Sequence, residues 1–144
     1  MQVTYLSSRW VLFVTVLTSI LILGCATTPP ANVNSSDCQI KKINWEVVPQ
    51  ARIDSFSCEL GQHGGEDSLI FSIKLRNTGE TPNRFRLAIF IPEMDKAVSY
   101  LVPTTGKPPV LAPGAEAAVK IPFMKTTQMP KKIDVIVTTV RVED

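Results

Sequence analysis

The chain has 144 residues, with 15 basic and 13 acidic side chains and a net charge of +2. This balance argues against a nucleic-acid-binding protein, which normally carries a basic stripe. The length that remains after residue 24 suits one domain, which would bury about two-thirds of the surface of its unfolded chain.

A short apolar stretch follows a polar start at the N-terminus. Residues 1–9 carry one charge, Arg9, and residues 10–23 carry none. A positive start, a short apolar centre and small residues at its end are typical of a secretory signal peptide. The apolar run is shorter than the roughly 20 residues that a transmembrane helix needs. We therefore predict a cleaved signal peptide over residues 1–24.

The end of this stretch reads Leu-Ile-Leu-Gly-Cys over residues 21–25 and resembles the lipobox of bacterial lipoproteins. The resemblance implies that a diacylglyceryl group is attached to the thiol of Cys25, and that cleavage before Cys25 frees an amine that is then acylated. Two or three acyl chains hold a protein stably at a membrane, whereas one chain binds only marginally. Ala26 stands where an aspartate would favour retention in the inner membrane. The resemblance therefore implies a lipid-anchored cell-envelope protein, in the outer membrane and facing the periplasm or the cell surface.

Residues 25–37 are rich in Thr, Pro, Asn and Ser and have almost nothing to bury. Such a segment is expected to be a disordered tether. Fully extended, it reaches about 40 Å. We therefore expect the lipidated Cys25 and the folded domain to be joined by a flexible linker.

The two cysteines that lipidation leaves over are Cys38 and Cys58. In the oxidising compartment that the signal peptide implies, two thiols usually pair. We predict a Cys38–Cys58 disulfide; the alternative is a pair of free, buried thiols.

From Cys38 onward, apolar residues alternate with polar ones, and no stretch has a convincing helical period. One apolar face per strand is typical of antiparallel sheets with one wet side. We predict an all-β fold over residues 38–144, a single antiparallel β-sandwich of about seven strands. The predicted strands cover residues 43–47, 56–60, 69–76, 84–91, 98–102, 117–123 and 133–142.

Two local features refine this prediction. Pro122 lacks a backbone donor, so its strand should lie at a sheet edge. The alternation in the last strand changes phase at Thr138–Thr139, which suggests a β-bulge there.

The segment 69–123 resembles bacterial immunoglobulin-like and fibronectin-like modules. The likeness rests on Lys-Leu-Arg-Asn-Thr-Gly at residues 74–79 and on Leu-Ala-Pro-Gly at residues 111–114. It implies an immunoglobulin-like sandwich. Cys38 lies before the first strand, which departs from the usual cysteine placement. We expect a variant sandwich whose disulfide fixes its N-terminal end.

The sequence contains little that points to catalysis or metal binding. His63 is the only histidine and lies in a glycine-rich loop, so a triad or a zinc site with the usual spacing lacks its second histidine. The sequence also has acidic residues that lie next to or near one another. Such pairs are most often solvated loop residues rather than calcium ligands or acid–base pairs. Copper handling is a weaker alternative, suggested by His63 together with Met94, Met124 and Met129. We expect no enzyme activity, no metal and no cofactor.

One strand offers a candidate binding face. Arg84, Arg86 and Phe90 share one side of the strand 84–91, opposite its apolar residues. Arginine and aromatic residues are enriched at protein interfaces. We predict that these three residues contact a partner, the alternative being tolerated surface. We expect Ile70 and Tyr100 to face outward and to form an apolar contact patch with Phe90, with Lys74 and Arg76 beside them on the same sheet. The alternative is that loops cover these residues.

These observations favour a lipid-anchored, non-catalytic module for protein interaction or assembly. Its partners would be the membrane, through the anchor, and an envelope or extracellular protein. The alternative is a periplasmic carrier of a small ligand or metal, which would use the loops around His63 and residues 103–109.

Overall fold

A computed structural model describes residues 38–141 of the chain. Apart from one 3-10 turn at Pro92–Met94, its regular structure is β. The predicted signal peptide, lipidation site and tether lie outside the described residues. The strands are β1 (Lys42–Val47), β2 (Ala51–His63), β3 (Glu66–Asn77), β4 (Arg84–Ile91), β5 (Lys96–Val102), β6 (Glu116–Met124) and β7 (Lys132–Val140).

The seven strands form two sheets. One has four strands in the order β1-β7-β4-β5, and the other has three in the order β2-β3-β6. Neighbouring strands are antiparallel except for β1, which runs parallel to β7. The predicted all-β sandwich of about seven strands is confirmed.

The core lies between the two sheets and is filled from their alternating inner faces. On β4, for example, Phe85, Leu87, Ile89 and Ile91 are fully buried. Aromatic contacts run through this core: Trp45 of β1 meets the ring of Phe56 of β2 edge-on, with centroids 5.2 Å apart. Such pairs add about 0.5–1.5 kcal/mol beyond area burial. This contact also joins the two sheets.

The two ends of the sandwich differ. The hairpin end carries the β2–β3 turn at Gly64–Gly65, the 3-10 turn and Cys38. Gly64 and Gly65 both have positive φ angles, of 61° and 84°, as a tight two-residue hairpin turn requires. The opposite end, the loop end, carries Asn77 and residues 103–109. No helix among residues 38–141 is long and apolar enough to cross a membrane.

A disulfide joins Cys38 to Cys58, as predicted. Cys38 precedes β1 of the four-stranded sheet, whereas Cys58 lies on the inner face of β2 of the other sheet. Their Cα atoms are 5.3 Å apart, and both residues are 4% exposed. The sulfur of Met129 lies 3.9 Å from that of Cys58. The bridge therefore links the two sheets at the hairpin end.

Reducing this disulfide should lower the free energy of unfolding by about 3 kcal/mol, because the bond closes a loop of modest length in the unfolded chain. Denaturant titrations with and without reductant measure the difference. Thiol labelling of the mature protein, denatured without reductant, should find no free thiol. The double variant Cys38→Ala/Cys58→Ala is the control, since reductant should leave its stability unchanged. Two reactive thiols in the unreduced parent would contradict the prediction.

Strand β6 confirms the prediction about Pro122. It is an edge strand, and Pro122 pairs with Ile70 of β3 on its only partnered side. The missing N–H of Pro122 therefore costs the sheet little.

The bulge predicted in the last strand is wrong. Strand β7 pairs with β4 without interruption from Asp134 to Val140. Thr139 keeps the inward phase but is exposed, because β1 ends opposite Val137 and, within the described residues, β7 has no strand on that side at Thr139. The register shift lies instead in β2, between Ile53 and Ser55.

Candidate interaction surface

Phe90 lies on the outer face of the four-stranded sheet, in one of its two central strands. Its cross-strand neighbours are Asp134 of β7 and Ala97 of β5. In the next row along β4, Ala88 is flanked by Ile136 and Ser99. The small side chains of these rows leave the ring of Phe90 accessible, and Phe90 is 40% exposed. This face therefore presents an uncovered aromatic ring at its centre.

A groove of about 830 Å³ opens over Phe90 at the hairpin end. Phe90 and Ile136 contribute apolar surface to its lining, and three carboxylates also line it, those of Glu46, Asp95 and Asp134. Lys96 contributes its stem, but its ammonium donates hydrogen bonds to the carbonyls of Met124 and Lys125 and to the hydroxyl of Thr126. The lining of the groove is therefore mostly apolar, and its charged groups are mainly acidic.

The three carboxylates differ in how far they are neutralised. Asp134 accepts a hydrogen bond from the amide of Asn44, and its carboxylate lies 3.6 Å from the ammonium of Lys132. Within residues 38–141, neither Glu46 nor Asp95 forms an ion pair. The groove therefore keeps negative charge that is available to a partner.

Arg84 and Arg86 share the outer face of β4 with Phe90 but lie toward the loop end. Arg86 is exposed and is flanked by Thr138 and Leu101. Arg84 is half-buried, and its Nε has no hydrogen-bond partner among the described residues. Four residues of extended strand, about 13 Å, separate Arg86 from Phe90. The structure thus places the three residues on one face, with Phe90 beside carboxylates and the arginines further along.

Two expected outward residues are not exposed. Tyr100 pairs with Leu87 and packs against the core. It shares the phase of Val98, an alternation visible in the sequence that could have placed it inside. Ile70 faces outward from the three-stranded sheet but is only 8% exposed. The prediction that both contribute to an exposed apolar patch is wrong.

The expected basic neighbours Lys74 and Arg76 lie on the outer face of the other sheet. There Asp54 accepts hydrogen bonds from Arg52 and Arg76, at 2.6 and 2.7 Å. Glu116 pairs with Arg76 and Lys74 in turn. Burial opposes ionisation of Asp54, but the hydrogen bonds from the two arginines outweigh it, so the pKa of that carboxyl is lowered. This face therefore pairs these charges internally, whereas on the four-stranded face Arg86 and Glu46 form no ion pair within residues 38–141.

The loops considered for a ligand carrier lie at opposite ends of the sandwich. His63 is exposed beside the turn at the hairpin end. Residues 103–109 follow Val102, which pairs with Phe85 at the loop end of β4. The two loops therefore do not form one site. Within the described range, no group of three or more His, Cys, Asp or Glu side chains is placed to hold a metal ion.

Comparison with known protein families, curated proteins and solved structures found no match for this chain. The resemblance to bacterial lipoproteins therefore rests on the motif that ends at Cys25. The outer face of the four-stranded sheet is the candidate interaction surface.

Proposed function

We propose that this protein is a lipid-anchored, non-catalytic cell-envelope lipoprotein that acts as a protein-interaction or assembly module. Cys25 carries the lipid, and residues 26–37 connect it to the sandwich. The outer face of the four-stranded sheet holds the partner within reach of this tether, about 40 Å when fully extended.

The observation that carries this proposal is the exposure of Phe90 beside the groove. A surface aromatic ring within a partly polar surround is typical of contact sites. Strand β4 is hydrogen-bonded on both sides, to β5 and β7, so the ring is presented by a rigid element. Little ordering entropy is then lost when a partner covers it.

The anchor is tested by the substitution Cys25→Ser. Because only a thiol can accept the diacylglyceryl group, the variant should lose labelling by a fatty-acid probe and accumulate uncleaved precursor. Gel mobility and probe fluorescence in growing cells measure both effects. The double variant Cys38→Ala/Cys58→Ala is the control and should label normally. Persistent labelling of Cys25→Ser would overturn the lipobox interpretation.

The contact face is tested by the substitution Phe90→Ser, with crosslinking in intact cells and identification of the attached protein. Loss of a central aromatic contact costs about 2 kcal/mol, so capture should fall roughly 30-fold. Leu60→Ser is the matched control, because Leu60 is a comparably exposed apolar residue, at 46%, on the other sheet. Capture should survive that change. Undiminished capture by Phe90→Ser would contradict the proposal.

A further inference from the structure

We infer that the occupant of this face is a second copy of the chain, bound through the same face to form a symmetric dimer. The inference rests on the proposed function, since it names the partner of the surface proposed there. Its starting observation is that the face carries opposite charges toward its two ends. Arg84 and Arg86 lie toward the loop end, whereas Glu46 and Asp134 lie toward the hairpin end.

Cross-strand register divides this face into rows about 6.6 Å apart. The first row contains Asn44, Asp134, Phe90 and Ala97, and the second contains Glu46, Ile136, Ala88 and Ser99. Arg86 belongs to the third row, with Thr138 and Leu101, and Arg84 to the fourth, with Val140. Lys42 and Lys132 lie beyond the first row, at the extreme hairpin end.

This pattern is satisfied by a two-fold axis that lies in the plane between the two facing sheets. The axis runs across the strands and passes between the second and third rows. It brings the third row of one copy over the second row of the other, and the fourth row over the first. Arg86 then lies over the small Ala88 of the second copy and beside its Ile136. Glu46 of that copy lies two strands, about 10 Å, to the side. Arg84 lies over Phe90, next to Asp134. Arginine over an aromatic face adds about 0.5–2 kcal/mol.

The two lysines on this face, Lys42 and Lys132, do not conflict with this arrangement. Lys42 and Lys132 fall outside the four overlapping rows, so they meet no cation across the interface. Lys132 is in any case within 3.6 Å of Asp134. The overlap therefore juxtaposes charges of opposite sign.

The outer face of the other sheet does not offer this complementarity. Its Arg52, Asp54, Arg76 and Glu116 pair with one another within one chain. On the four-stranded face, Arg86 and Glu46 form no ion pair among residues 38–141. A basic partner of another kind would match only the hairpin half of this face. In a second copy related by the two-fold axis, the basic half lies over the acidic half of the first copy, and the acidic half lies over the basic half. The same patch is then used by both copies, as a two-fold interface requires.

The overlapping rows cover about 400 Å² of each copy, below the roughly 800 Å² per partner that is typical of stable interfaces. Association is therefore weak in dilute solution. Anchoring both copies to one membrane raises their effective concentration, which favours pairing without any new contact. Exposed ion pairs are screened by salt, so association falls as ionic strength rises.

The test uses the full lipidated chain, expressed in cells with two different tags, and measures co-capture after crosslinking. Arg86→Glu directs a carboxylate toward Glu46 of the second copy, and Glu46→Arg directs a guanidinium toward Arg86 of the second copy. Each variant therefore sets like charges against each other and should lose at least tenfold in self-capture. The two variants expressed together present opposite charges at both contacts, so they should capture each other as the parent captures itself.

Lys120→Glu, on the outer face of β6, is the matched charge-reversal control and should leave self-capture unchanged. Thermal melting of each variant shows that its fold is intact. Absence of parent self-capture, or failure of the mixed pair to restore it, overturns the dimer. If the parent instead captures a different protein in a Phe90-dependent way, the proposed function stands and the dimer does not. If neither is captured, both fall.

Discussion

Replacing Leu87 with serine is expected to lower the free energy of unfolding by about 5 kcal/mol, enough to unfold a domain of ordinary stability. Leu87 is fully buried on β4, between Tyr100 and Val137 of the neighbouring strands. Removing a buried leucine side chain costs about 2–5 kcal/mol. The new hydroxyl adds about 1–3 kcal/mol if it lacks a partner. Thermal melting and denaturant titration measure the loss.

Phe90→Ser is the matched control for this prediction, because the same strand carries Phe90 on its outer face. The ring is 40% exposed, so its replacement should cost only about 1 kcal/mol. Similar large losses in both variants would show that Phe90 belongs to the core. Small losses in both would show that Leu87 is not packed as described.

Replacing Asn77 with alanine is expected to lower the free energy of unfolding by about 3 kcal/mol. Its fully buried amide donates hydrogen bonds to the carbonyls of Thr81 and Leu111, both at 2.8 Å. Its side-chain oxygen accepts one from the N–H of Gly79, at 2.9 Å. Each net hydrogen bond contributes about 1 kcal/mol, and buried groups left unpaired cost more.

Asn77→Asp sharpens this test, since it preserves shape while replacing the donor amide with an acceptor. A carboxylate would face the same two carbonyls, so the loss should be at least as large as for alanine. Asn83→Ala is the control: Asn83 also donates to the carbonyl of Thr81, at 2.9 Å, but is half-exposed. Its loss should stay within about 1 kcal/mol. Equal effects at both positions would mean that burial of Asn77 does not matter.

Much of the fold could be predicted because alternation of apolar residues is a local property. It located all seven strands, and the missing donor of Pro122 correctly placed β6 at an edge. The bulge in β2 also has a local trace: Ile53 and Phe56 both face the core but are separated by three positions. The phase change at Thr138–Thr139 had a different cause: β7 continues past the end of β1, which leaves Thr139 exposed on that side.

Strand order could not be predicted in this way, because pairing depends on contacts between distant segments. The parallel β1–β7 pair has no local signature, and it brings Glu46 and Asp134 onto the same face as Phe90. Alternation alone put Arg84, Arg86 and Phe90 on one side of β4. It could not reveal the acidic groove or assign Lys74 and Arg76 to the opposite sheet. The likeness to immunoglobulin-like and fibronectin-like modules stays a prediction.

The inter-sheet disulfide also determines how the sandwich bears mechanical load. Tension applied to the chain before Cys38 reaches a covalent junction with β2 before it reaches β1. Because residues 38–58 form a closed loop, β1 is shielded from direct traction, and its hydrogen bonds to β7 are not peeled apart from that end. The pull is instead delivered to Cys58, near the middle of β2, which pairs with β3 from Ala51 to His63. Force applied from the N-terminal side therefore does not detach β1 from the sheet directly.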